Sequence, residues 1–164
     1  MRSMFVFFLL VFSMTALSGN LANYTFSQSI TTYTSISGGT TLGNSETDDQ
    51  KFVDPAVPLG GSTVTGPGFP IGFNFVFNDV TFDRIGINAN GWISLGQSAL
   101  SPSVIMASTS DYAPLANTAT ISPVQLSNRI AIIAGNLRAS SSAGGRIYYK
   151  VSGIAPNRSC SVEW

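Results

Sequence analysis

Residues 69–96 read FPIGFNFVFNDVTFDRIGINANGWISLG. In the first nine, Phe69, Ile71, Phe73, Phe75 and Phe77 fall on one side of an extended chain, while Pro70, Gly72 and Asn74 fall on the other. Five large apolar groups at period two predict a strand with one face buried in a sheet. Pro70 lies near the start of the run, where a missing ladder donor does least harm. Asp79 sits in a turn after Phe77.

The second half of the stretch poses a register problem at Asn90 and Gly91. A two-residue loop would pair Ala89 with Trp92 and put Ile93 and Leu95 on the face opposite to Ile85 and Ile87, splitting the apolar set. A three-residue loop, Ala89-Asn90-Gly91, pairs Asn88 with Trp92, Ile87 with Ile93 and Ile85 with Leu95. All four aliphatic side chains then share one face. The loop predicted is a type I turn closed by glycine in the left-handed conformation, which a residue with a Cβ adopts only at a cost. Asn90 and Gly91 are thus structural turn residues, and Trp92 is left on the other face beside Asn88.

Working outward, the chain is rich in Gly, Ser, Thr, Phe and Ile, poor in Lys and Glu, and has no sustained apolar spacing of helical period. Further strands are predicted over 24–28, 32–36, 81–88, 92–95, 129–134, 146–152 and 159–164. The run 130–134 is apolar throughout and reads as a central strand covered on both faces. Between 97 and 128 short strands are expected near 103–107 and 118–122, because a structureless loop of that length is improbable in a compact domain. Residues 135–145 read as the flexible loop of a second hairpin, joining 130–134 to 147–151. Pro156 and Asn157 then turn the chain into a last strand, where Cys160, Val162 and Trp164 alternate. A strand that stops on its own tryptophan reads as cut, so a longer protein with more chain after Trp164 is expected.

The first residues set a compartment. Met1-Arg2 is a short positive start, and MFVFFLLVFSMTAL at 4–17 is apolar but for Ser13 and Thr15. With small residues around a cut after about residue 18 or 22, this is the layout of a secretory signal peptide over 1–22. The run is shorter than the roughly 20 residues a membrane-spanning helix needs. Residues 23–164 are then one domain, long enough to bury a substantial core. Of eight basic residues, loss of Arg2 leaves seven, against eight acidic ones, with no long block of either sign. Nucleic acid is therefore an unsuitable partner. A single cysteine, Cys160, excludes an intrachain disulfide, and burial as a small apolar side chain is preferred over a bridge to another chain.

Three phrases carry a resemblance: TDDQKFVDPAVPLG, then GFPIGFNFVFNDVTFDRIGINANGWISLG, then GRIYYKVSGIAPNRSCSVEW. In that order and spacing they resemble the N-terminal domain of large secreted Bacteroidetes surface proteins, often followed by fibronectin type III-like modules and a type IX secretion sorting signal. The resemblance spans nearly all of 23–164. It implies a jelly-roll-like or lectin-like sandwich at the cell surface, with no assigned activity. The sequence departs from that pattern at 134–137, where many relatives carry an acidic residue before the leucine, so no metal or ligand role is carried over to this loop.

Most catalytic chemistry is excluded by composition. Without histidine there is no Ser-His-Asp or Cys-His nucleophile system and no histidine metal site in the chain. The glycine pairs at 38–39, 60–61 and 144–145 lack the lysine and following helix of a phosphate loop, and read as turns. Carboxylate pairs such as Asp79 with Asp83, or Asp54 with Asp111, offer the two acids a glycosidase requires, but the turn position of Asp79 argues against that use. Asp48, Asp49 and Asp54, with Glu46 nearby, are oxygen ligands in a loop and a weak Ca²⁺ candidate without any fixed motif spacing. No other cofactor is expected. Asn23 and Asn157 match the N-glycosylation acceptor pattern, which a bacterial chain would usually leave unmodified.

Aromatic side chains supply the remaining candidate. Trp92, Tyr112 and Tyr149 are the proposed ligand-binding residues, since an apolar ring with a polar tip stacks on sugars when it is exposed. Tyr148 and Tyr149 point to opposite faces of one strand, so only one of them can join such a platform; the competing reading is that the rings fill the core. The expectation is an all-β antiparallel β-sandwich, jelly-roll or lectin-like, secreted and non-enzymatic. It would act as a display or adhesion module of a larger cell-surface protein, with glycans or surface polymers as partners. The alternative is a substrate-targeting accessory domain of a secreted hydrolase whose catalytic part lies downstream.

Overall fold

The computed structural model describes residues 25, 27–44, 49–53, 63–106, 128–133, 135–137 and 145–164. The chain forms two compact units, Met1–Tyr33 and Thr34–Trp164. In the first, the described residues are exposed and lie outside any strand. The second is all-β and antiparallel, with ten strands among its described residues.

The aromatic run forms β4 (Phe69–Phe77), and a two-residue turn at Asn78 and Asp79 returns the chain along β5 (Val80–Asn88). Both turn residues have positive φ, 49° and 59°, as a tight hairpin turn of this length requires. A three-residue loop then leads into β6 (Trp92–Gly96), with Asn88 opposite Trp92, Ile87 opposite Ile93 and Ile85 opposite Leu95. This is the register that keeps the aliphatic set together. Gly91 has φ 80°, and its N–H donates to Asn88 O at 3.2 Å.

These strands belong to a central sheet. β2 (Lys51–Phe52) pairs with the Asn88 end of β5, β4 pairs with the remainder of β5, and β8 (Arg129–Ala131) pairs with β6. A second sheet has the order β1 (Thr40–Asn44), β9 (Arg146–Ile154), β10 (Asn157–Glu163). Between the two lies the main core: Leu42, Phe52, Phe69, Ile71, Phe82, Ile85, Ile87, Leu95, Ile147 and Tyr149. That arrangement is an antiparallel β-sandwich.

The opposite face of the central sheet is covered as well. β3 (Val64–Gly66) and β7 (Val104–Met106) form a two-stranded sheet, and Val64, Val104 and Met106 pack with Val53 on Trp92. Gly86 and Gly96 admit this third layer: a Cβ at Gly86 would stand 2.6 Å from Met106 Sδ, and one at Gly96 2.3 Å from Ser103 O. Ser94 Oγ donates to Ile105 O at 3.0 Å across the same contact. β5 and β6, with a layer packed on each face, therefore hold the centre of the unit.

Several expectations need correction. The described residues of 24–28 and 32–36 are not strands; the backbone N–H of Ile36 instead donates to the Glu163 carboxylate at 2.6 Å. The described residues of the run 130–134 are not a central strand. β8 ends at Ala131 and closes the strand order, and Ile132 and Ile133 are 70% and 53% exposed. Their N–H groups donate to Gly91 O at 3.1 and 3.2 Å, so the chain bends over the β5–β6 turn instead of extending the ladder. Nor do β8 and β9 form a hairpin: they pair in different sheets. The strand expected near 118–122 lies outside the described residues.

Candidate functional site

An open groove of roughly 860 Å³ runs along β4, β5 and the β9–β10 turn. β4 bends there. Its pairing with β5 slips between Pro70 and Phe75, and Gly72 takes φ 87° with Val151 packed so close that a Cβ would meet its Cγ1 at 2.4 Å. The bend brings Pro70, Phe73 and Asn74 to the groove wall, with Asp83 and Arg84 from β5 and Pro156 and Arg158 from the far side.

Two guanidinium groups thus border the groove against one carboxylate. Arg158 is oriented by its Nη1, which donates to Gly72 O at 2.6 Å. Asp83 is held by Ser98, whose hydroxyl and backbone N–H both donate to it, the latter at 2.7 Å. Those bonds, the hydroxyl first, together with Arg84, keep the Asp83 carboxyl below its usual range against the opposing effect of burial. The groove accordingly offers fixed charge, planar donors and an apolar wall of Phe73 and two prolines. Sequence reading missed Arg84 and Arg158, which are far apart in the chain; they are two of only eight basic residues, and both lie inside the phrases that carry the family resemblance.

The residues singled out from sequence fall elsewhere. Trp92 is wholly buried, with the Arg129 guanidinium carbon 4.5 Å from its ring centroid. Tyr149 is buried in the main core, its ring 5.3 Å from that of Phe69 and its hydroxyl donating to Pro70 O. Neither ring is open to a sugar. Tyr112 lies outside the described residues, as do Asp48 and Asp54. Asp49 is described in a turn with φ 59°, and its Oδ1 accepts the Asn90 Nδ2 at 2.7 Å. Among the described residues no three of Cys, Asp or Glu stand close enough to hold a metal ion.

Asn90 and Gly91 form the turn itself, and Asn90 does more than shape it. Its backbone N–H donates to Asn88 Oδ1 at 2.7 Å, its Nδ2 to Asp49, and its Oδ1 accepts the Leu137 N–H at 2.8 Å. One buried amide therefore ties the turn before β2, the β5–β6 turn and the segment after β8. Cys160 is free and half-buried beside Ile71, Phe75, Ile93 and Val162. Burial pushes its thiol up to about 11, which leaves it an unreactive apolar group at neutral pH.

No helix among the described residues is long and apolar enough to cross a membrane. No curated protein and no solved structure matches the chain. Residues 23–164 match the family model described as NIDO related, and so the chain belongs to the NIDO-related family, an extracellular-type domain.

Proposed function

We propose that this protein is a non-catalytic extracellular adhesion module that binds acidic glycans in the groove between β4 and the β9–β10 turn. Membership of an extracellular-type, non-catalytic family supports the setting. The observation that carries the reading is the pairing of Arg84 and Arg158 with Phe73 across an open concavity. Guanidinium groups bind carboxylates through paired parallel N–H donors, and an apolar wall accepts the C–H face of a sugar ring. A linear polymer of uronic acid presents both features at every residue.

Display at a cell surface, and export by the type IX route in Bacteroidetes, belong to the same proposal and rest on the phrase-level resemblance of residues 47–60, 68–96 and 145–164. The test is calorimetric titration with oligogalacturonate and, as a control, a neutral glucan of equal length. Binding of the uronate alone, weakened about tenfold or more by Arg84→Ala or Arg158→Ala, supports the reading. Equal binding of both polymers, or none of either, removes it.

A further inference from the structure

Lys51 and Asn88 are direct partners across β2 and β5, and both side chains are wholly buried. The Ala89 N–H donates to Gln50 O at 2.8 Å, so ladder bonds flank this pair instead of joining it. Side chains are closest at such pairs, with Cβ atoms about 4.5–5.5 Å apart. Lys51, Asn88 and Trp92 lie in one row on the face covered by the β3–β7 layer.

The Asn88 amide is polarised at one end and unoccupied at the other. Its Oδ1 accepts the Asn90 N–H at 2.7 Å, whereas its buried Nδ2 has no hydrogen-bond partner. A buried amide nitrogen without a partner is uncommon and costs stability in a finished fold. Asn90, by contrast, has both ends of its side chain engaged. Lys51 Nζ stands 3.4 Å from Asp49 O, and the carboxylate of that residue is fixed by Asn90. A wholly buried amine and a wholly buried amide, polarised at its carbonyl and unpartnered at its nitrogen, are thus direct cross-strand neighbours.

We propose that Lys51 and Asn88 join in an intramolecular isopeptide bond formed by the fold itself. The Lys51 ammonium releases a proton to solvent, and the neutral Nζ attacks Asn88 Cγ. As the Nζ–Cγ bond forms, the carbonyl electron pair moves to Oδ1, where the Asn90 N–H holds the developing oxyanion. The intermediate collapses with cleavage of Cγ–Nδ2. Nδ2 leaves as ammonia with a proton from Nζ, and in solution takes up the proton released in the first step to become ammonium. No oxidant, metal or energy source is required; held proximity within the folded sheet replaces activation of the acyl group. The product would fasten β2 to β5 and remove the unpartnered amide nitrogen.

The test is intact-mass spectrometry of the full chain, with tryptic mapping to fix its N-terminus. The expected mass is short by one ammonia, and the map contains a branched peptide joining the segments that carry Lys51 and Asn88, with no cleavage after Lys51. Lys51→Arg restores the full mass. A wild-type protein at full mass overturns the proposal. So does an ammonia deficit that persists in Lys51→Arg, or one that maps to a linear peptide, because ring closure at Asn90-Gly91 also expels ammonia. The branched peptide is decisive even where the variant fails to fold.

Discussion

The guanidinium of Arg129 covers the indole of Trp92 at 4.5 Å, and both side chains are buried beneath the β3–β7 layer. The contact explains how a cation is accommodated in an interior position. The indole face supplies an electrostatic partner worth about 2 kcal/mol when water is excluded, while Trp92 fills the space between Val53, Val104 and Met106. Replacing Trp92 by alanine removes the packing and the partner together, with an expected loss of about 3–5 kcal/mol in urea denaturation. A loss under about 1 kcal/mol would show that the indole is not enclosed by this layer.

The same layer can be tested from the other side. Alanine at Gly86 would place a methyl group 2.6 Å from Met106 Sδ and 2.8 Å from Val104 Cγ1, so overpacking of about 1–3 kcal/mol is expected. Met106→Ala opens the space that this methyl needs. The double variant should therefore be more stable than the sum of the single losses predicts, by about 0.5 kcal/mol or more. Strict additivity would mean that Gly86 and Met106 do not meet.

How much of this was legible in the sequence follows from the range of the forces involved. The β5–β6 register was legible because Ile85, Ile87, Ile93 and Leu95 can share a face in only one pairing, and because Gly91 supplies the left-handed turn. The reach of β8 was not: an apolar run at 130–134 fits a buried strand as well as a bend, and the hydrogen bonds of Ile132 and Ile133 to Gly91 O decide the matter. β1 pairs with β9 across about a hundred residues, and its sequence TTLGN has no alternation to announce it. The groove was hidden for the same reason. Arg84 and Arg158 become neighbours of one concavity through sheet order, which no local pattern encodes. Trp92 and Tyr149 were selected for their chemistry alone, and cross-strand packing places them inside.

Asp83 provides a local probe of the groove. Its carboxyl lies below the usual value of 3.8 chiefly because of the Ser98 hydroxyl. A group whose folded pKa is depressed contributes stability that is present above its unfolded pKa and lost as pH falls through the folded one. Ser98→Ala should therefore raise the Asp83 titration midpoint towards 3.8 in a carbon-detected NMR titration, and shift the acid limb of unfolding upward in pH. An unchanged midpoint would exclude the Ser98 hydroxyl as the cause.

At the alkaline end, two buried acids act in the opposite sense. Burial lifts the Cys160 thiol from 9.0 to about 11. Burial first, and the neighbouring Cys160 second, lift the Tyr149 hydroxyl from 10.0 to about 12. Each is kept protonated in the folded chain after its unfolded counterpart has ionised, so the folded state binds more protons and stability falls as pH rises. The fall should begin near pH 9 with Cys160, steepen above 10 as Tyr149 joins it, ease above 11 and end near 12. Thermal unfolding followed across this range checks the assignment: Cys160→Ala should flatten the segment between pH 9 and 11, and Tyr149→Phe the segment above 10. The thiol should also resist disulfide reagents at pH 8 until urea exposes it. An equal slope in Cys160→Ala and wild type between pH 9 and 11 would mean that the apolar wall of Ile71, Phe75, Ile93 and Val162 does not hold the thiol neutral.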